Sequence, residues 1–297
     1  MSHDELEALE QIRRNHRGPT LEAVLDAFTL VPEADGVYSA STVGIGTNRI
    51  FGGQVLGQVL MAAAQAVPAK QVKSVYVQFA RDGVAPDPVR IEVAVLHDGG
   101  TYATCDVRVL QDGRVLADAT ASLHVPGEGP DQQSVVLLDH DPEGAVLHDL
   151  SMIPCETRVV GGVDLRDDAV GPATFAFWMR EPTLAGAPLA VHQALVAFSS
   201  DLTPIATALR ALPGMSQMSS HRTVQTATTS HTIWFHHDFD VADWVCFQQH
   251  SPVTGEGRSF GWGQLFTRDG TAVASYAQDA MVRWLEANPG RVARTTA

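Results

Sequence analysis

The 297-residue chain predicts an α+β fold in two tandem repeats, each a helix followed by antiparallel strands. Two observations point to it. VRVLQDGRVLADATASLHV (107–125) and QLFTRDGTAVASYAQDAMV (264–282) are matching strand–turn–strand segments, with Asp112-Gly113 and Asp269-Gly270 lying 157 positions apart. In each half an apolar, alanine-rich stretch precedes the β-rich runs. Asp-Gly between alternating apolar runs is a strong hairpin signal, and a fixed internal offset is the mark of duplication. Two unrelated hairpins sharing one turn signal are the competing explanation.

Taken in order, GGQVLGQVLMAAAQAV (52–67) reads as the first helix, and the runs within 72–96 as two strands around a Pro- and Asp-bearing turn. The hairpin at 107–125 closes the first repeat, expected at 19–126. VPGEGPDQQ (125–133), rich in Gly, Pro and Gln, opens a linker expected to run over 127–152. The second repeat, expected at 153–288, carries a helical stretch over 189–212, a second pair of strands within 231–249 and the closing hairpin at 264–282.

Composition narrows the function. Apolar residues make up 45% and charged residues 18%, enough for a sizeable core. No apolar run approaches the roughly 20 residues of a membrane span. The acidic opening MSHDELEALEQI lacks the basic-then-apolar pattern of a signal peptide, so the expected location is the cytoplasm. A net charge of −14 argues against nucleic acid as a partner, although a few local cations and helix N-termini can still hold an anionic substrate. Cys105, Cys155 and Cys246 form no CxxC, and the adjacent His236 and His237 would point to opposite faces of a strand. Neither a metal nor another cofactor is expected.

Several residues could carry chemistry. Phe51-Gly52-Gly53-Gln54 opens the first helix, where exposed N–H groups at the positive dipole end suit an oxyanion; plain capping or packing glycines are the alternative. Asp201 follows an apolar run. It is either a partly buried carboxylate shifted toward a useful base, or a cap for a helix starting at Thr203-Pro204. Aligning Gly53 with His192 sets Ala62 opposite Asp201, and the hairpins set Ala121 opposite Gln278, so only the second half carries an acid. Strand alternation puts Gln278 on one face with Tyr276 and Ala280, where burial would demand hydrogen-bond partners. Thr228 sits in a β-run and is unremarkable alone. No GxSxG elbow and no Cys–His motif favours a covalent acyl-enzyme.

FGGQVLGQVLMAAAQAV, HQALVAFSSDLTPIATAL, ATTSHTIWFHHDF and QLFTRDGTAVASYAQDAMVR together resemble, in order, motifs of the acyl-CoA thioesterase II family, the TesB-like double hot-dog thioesterases. The resemblance spans about residues 20–284. It implies a double hot-dog fold, each repeat a long helix wrapped by a curved antiparallel sheet, and an acyl-CoA thioesterase assembling as a homo-oligomer. It also implies a water activated by Asp201, Thr228 and Gln278. Asp201 would take the water's proton while Thr228 and Gln278 fix its position; Gly53 and Gln54 are the candidate oxyanion donors. Ser230 stands where the family commonly has an acid. Arg258 is either a CoA phosphate contact or a solvated loop arginine, and Trp178, Trp234 and Phe235 are candidate walls for the acyl chain. Two other readings stay open. A hot-dog hydratase or dehydratase needs an acid and a histidine in one segment, and the nearest downstream is His221. A non-catalytic acyl-CoA binding module rests on Ser230.

Overall fold

The computed structural model describes residues 18–46, 48–138 and 141–285. The acidic opening stretch and positions 286–288 of the expected second repeat lie outside the described residues. The first half holds α1 (Leu21–Phe28), β1 (Val31–Ala34), β2 (Val37–Ala40), α2 (Gly52–Ala66), β3 (Gln71–Phe79), β4 (Val89–Asp98), β5 (Tyr102–Gln111) and β6 (Arg114–His124). The second holds β7 (Val146–Leu147), β8 (Glu156–Val159), β9 (Thr174–Arg180), α3 (Leu189–Ser200), α4 (Pro204–Arg210), β10 (Val224–Phe235), β11 (Val245–Gly255), β12 (Arg258–Thr267) and β13 (Ala272–Trp284). Short 3-10 turns fill some connections.

All strands join one antiparallel sheet in the order β1-β2-β4-β5-β6-β3-β10-β13-β12-β11-β9-β8-β7. The order reads alike from its centre outward: β3 answers β10, β6 answers β13, β5 answers β12. The central pair confirms a two-fold relation, since His231 faces Val77 while Ile233 faces Val75. This is a double hot-dog, with each long helix laid on antiparallel strands. α2 packs on β3 to β6 and on α3, while α4 covers β11 and β12.

The hairpins follow their turn chemistry. Asp112 and Gly113 both take positive φ (50° and 73°), forming a two-residue turn that pairs Gln111 with Arg114. At the second hairpin only Gly270 does so (φ 89°), and the loop is longer. Sequence reasoning missed the strands that precede each helix, and α1, which Thr20 caps by accepting the Ala23 N–H at 3.2 Å. It also ran 189–212 as one helical stretch. The chain breaks after Ser200 and restarts at Pro204, because proline has no N–H with which to continue a helix. The segment after VPGEGPDQQ is strapped to the second half: Gln133 accepts from Ala272 N–H (2.7 Å), and Gln248 accepts from Leu138 N–H (3.0 Å). β7, inside the expected linker, pairs with β8.

One structural detail repeats. β10 carries a bulge between Thr228 and Ser230 against β13, and β3 carries one between Val72 and Ser74 against β6. The extra residues are Thr229 and Lys73.

α2 and α3 approach so closely that a Cβ on Gly53 would lie 2.2 Å from the Phe198 carbonyl oxygen. Backbone cannot swing aside as a side chain would. Gly53→Ala is therefore expected to lower stability by about 1–3 kcal/mol, seen as a lower urea midpoint at unchanged slope.

Candidate active site

α3 ends at Asp201, and its end abuts the beginning of α2. The Asp201 side chain, 4% exposed, turns toward that helix start rather than capping α4; Thr203 is the residue before Pro204. Gly52 makes the approach feasible, since a Cβ there would sit 2.7 Å from Asp201 Oδ2. The Gly53 N–H donates to the Asp201 carboxylate. Such donation is natural at the first turn, where backbone N–H groups have no partner within the helix.

Two further donors come from the sheet. Thr228 Oγ1 donates to Asp201 Oδ1 at 2.8 Å, and Gln278 Nε2 donates to the same oxygen at 2.7 Å and to the Asp201 carbonyl at 3.1 Å. The structure thus brings Asp201, Thr228 and Gln278 together, with both side-chain donors on the carboxylate itself. Burial pushes the Asp201 pKa up to about 6, against the pull of the Thr228, Gln278 and Gly53 hydrogen bonds. Buried, yet well supplied with donors, this carboxyl titrates close to neutrality.

The bulge decides which side chains meet Asp201. Thr228 and His231 are three positions apart, and on a regular strand an odd spacing sends side chains to opposite faces. The extra residue at Thr229 restores them to one face: His231, fully buried, places Nδ1 3.8 Å from Asp201 Oδ1. Sequence reasoning missed His231, and alternation alone could not have found it. The contact is an ion pair only with a protonated ring. Burial drives the His231 pKa down to about 3, so the imidazole is neutral.

Other expectations need correction. Gln54 is not among the residues that line the cleft at Asp201: its N–H donates to the Phe51 carbonyl (3.1 Å), its side-chain oxygen accepts from Val43 N–H (2.9 Å), and its Nε2, though unpartnered, is buried. Gly53 is likewise engaged by Asp201. Arg258 is the first residue of β12, not a loop arginine; it pairs with Asp279 and donates to Thr229 Oγ1 at 2.6 Å. It thereby holds the extra residue of the bulge. Ser230 pairs with Gln78 and Asp279 in the sheet and, next to His231, directs its side chain to the face opposite Asp201. Trp178 is buried with Trp244 beneath the strapped segment, Trp234 is largely exposed, and Phe235 stacks on Phe239.

A cleft of about 830 Å³ opens onto Asp201. Phe51, Val55, Phe79, Leu116, Leu202 and Ile205 give it apolar walls drawn from both halves. Arg49, Arg81 and His221 also line it, together with Asp82, which pairs with Arg49 at 3.4 Å.

The first half has the same frame without the chemistry. Ala121 pairs with Val75 as Gln278 pairs with His231, and Val72 pairs with Leu123 as Thr228 pairs with Ala280. Val72, Val75 and Ala121 therefore stand where Thr228, His231 and Gln278 stand, and Ala62 aligns with Asp201.

The raised Asp201 pKa makes a stability prediction. A group raised on folding contributes fully below its unfolded value, near 3.8, and that contribution is lost as pH rises through about 6. Above pH 7 the buried charge opposes folding by on the order of 3 kcal/mol. Asp201→Asn, whose carbonyl can accept from both Thr228 and Gln278, is expected to match the parent at pH 4 and exceed its stability at pH 8, measured by denaturant unfolding.

Comparison with known proteins agrees across the chain. Residues 40–124 match the family model "Acyl-CoA thioesterase N-terminal domain", and residues 130–282 match "Acyl-CoA thioesterase C-terminal domain". Acyl-CoA thioesterase 2 of Haemophilus influenzae is 26% identical over 272 residues, covering 85% of this chain and 94% of that protein. Acyl-coenzyme A thioesterase 8 of Mus musculus is 27% identical over 289 residues, 88% of each. The crystal structure of acyl-CoA thioesterase II TesB2 from Mycobacterium marinum superposes with a TM-score of 0.76 at 27% identity, covering 90% of this chain and all of that one. A hot-dog protein of Alicyclobacillus acidocaldarius shares the fold at 20% identity and a TM-score of 0.71, over 89% of this chain and 98% of that one. With each half matched to its own domain and in the same order, the chain belongs to the acyl-CoA thioesterase family.

Proposed function

We propose that the protein hydrolyses acyl-CoA thioesters with a water activated by Asp201, and that one observation carries this: a buried carboxyl with a pKa near 6 sits at an apolar cleft with two side-chain donors on one oxygen. Thr228 and Gln278 occupy Oδ1, which leaves Oδ2, beside Gly52, to face the water. The Thr228 hydroxyl and Gln278 carbonyl retain lone pairs that can accept the water's second hydrogen. The water oxygen attacks the thioester carbon as Asp201 takes its proton. The oxyanion is held by the backbone N–H of Gly52, the first helical residue, which lines the cleft. Collapse breaks the C–S bond, and the departing thiolate takes the proton back from Asp201. Acid and CoA leave, and the base is restored.

The apolar walls suit an acyl chain, and Arg49 and Arg81 suit the phosphates of CoA despite the net charge of −14. Part of the reading is a cytoplasmic homo-oligomer; among the described residues no helix is long and apolar enough to cross a membrane. Hydration chemistry would need an acid and a histidine from one segment; His221 lines the cleft but comes from a different segment than Asp201, and His231, beside Asp201, is fully buried behind it. The binding-module reading rested on Ser230, which lies in the sheet away from Asp201.

Two outcomes test the proposal. Asp201→Asn should lower kcat by about 10²–10⁴-fold with KM little changed, followed as thiol release from acyl-CoAs of short to long chain; turnover at the parent rate would remove the assigned base. Arg49→Ala should raise KM for an acyl-CoA about 10–100-fold but leave unchanged that for an acyl thioester lacking the nucleotide.

A further inference from the structure

His231 is a buried titratable group that the mechanism above leaves idle. Its ring stacks on Tyr276, with centroids 5.7 Å apart and planes 7° from parallel. Nε2 lies 3.0 Å from Ser200 Oγ, whereas Nδ1 is buried without a hydrogen-bond partner, 3.8 Å from Asp201 Oδ1. A hydroxyl has one hydrogen, and that of Ser200 goes to the Ala197 carbonyl at 2.9 Å. Ser200 must then accept from His231, so Nε2 carries the ring hydrogen and Nδ1 is bare. The 3.8 Å gap agrees: a buried Nδ1–H beside a carboxylate would close to hydrogen-bond distance.

We infer that His231, fixed by Ser200 as its Nε2–H tautomer, is a positioning residue that turns a lone pair on Asp201 Oδ1 and so keeps the carboxylate a strong base. The inference rests on Asp201 being the base of thioester hydrolysis. A lone pair facing Oδ1 disfavours negative charge there and adds to the effect of burial. The opposite tautomer would donate to the carboxylate and weaken it. The groups facing this pair come from every element around it. β10 gives Thr228, β13 gives Gln278 and Tyr276, α2 gives the Gly53 N–H, and α3 gives Ser200. The Tyr276 hydroxyl is turned away, donating to Gln249 Oε1 of β11 at 2.6 Å. Among the described residues neither Lys nor Arg pairs with Asp201, so the histidine tautomer is the local variable that can tune it.

The test uses the intact protein. Ring-nitrogen NMR at neutral pH, with His231 assigned by its displacement in Ser200→Ala, should show a protonated Nε2 and a bare Nδ1; a protonated Nδ1 overturns the inference. Ser200→Ala removes the acceptor that fixes the tautomer while sparing His231 and every group placed at the reacting atoms. The freed ring should turn Nδ1–H toward Asp201, and the acid limb of kcat/KM should move to lower pH by about 0.5–1 unit. A limb that stays in place means His231 only packs, and also overturns the inference. The tautomer is read without substrate, so its failure is distinct from failure of the hydrolytic reading, which parent-level turnover by Asp201→Asn would reveal.

Discussion

A carboxyl buried between two helix ends is the constraint on which the site depends. Asp201 closes α3 and meets the first turn of α2, and its position demands glycine at 52 and 53. Opposed influences act on it. The start of α2, the Gly53 N–H, Thr228 and Gln278 favour the anion, while burial and the end of its own helix disfavour it. Donors alone would leave an ordinary weak carboxylate; burial alone would leave an acid protonated at pH 7. Their near balance yields a group that can both accept and release a proton close to neutral pH.

This balance explains why the glycines serve packing and chemistry together. The sequence reading offered oxyanion site or packing device as alternatives for Gly52 and Gly53. Gly53 lets α3 approach through the Phe198 carbonyl and gives its N–H to the acid, while Gly52 leaves the space into which Oδ2 projects. Close helix packing is how the carboxylate reaches its donors.

Much of the frame was legible before the fold was known. The Asp-Gly hairpins, the two alanine-rich helices and the 157-residue offset all follow from local chemistry that tertiary contacts leave intact. β1 and β2 were overlooked although Asp35-Gly36 joins them with the same turn signal, because at four residues each they show too little alternation to be read as strands. The trio was legible through its family resemblance; locally, Asp201 was balanced between base and cap. His231 was hidden for a physical reason. Strand alternation assigns it to the face opposite Thr228, and the bulge that reverses this adds one residue without any glycine or proline to mark it. Arg258 misled because an arginine after Glu256-Gly257 resembles a solvated loop residue, whereas those two form a tight turn (φ 53° and 75°) and start β12 one residue later.

The repeated bulge separates scaffold from chemistry. Because β3 carries it as well, at Lys73, the bulge belongs to the duplicated frame and was not introduced to serve Asp201. What differs is the set of side chains mounted on equal frames. Val72, Val75 and Ala121 make one copy apolar; Thr228, His231 and Gln278 make the other a polar pocket that needs an acid at its centre. Neither half is sufficient, however. The polar half supplies acid, threonine and glutamine, but the helix start that donates to the acid, and Phe51, Val55, Phe79 and Leu116 of the cleft wall, come from the apolar half. An apolar first copy thus leaves the structural need for that copy intact, since its glycine-rich helix start and apolar wall are what bury Asp201 and raise its pKa.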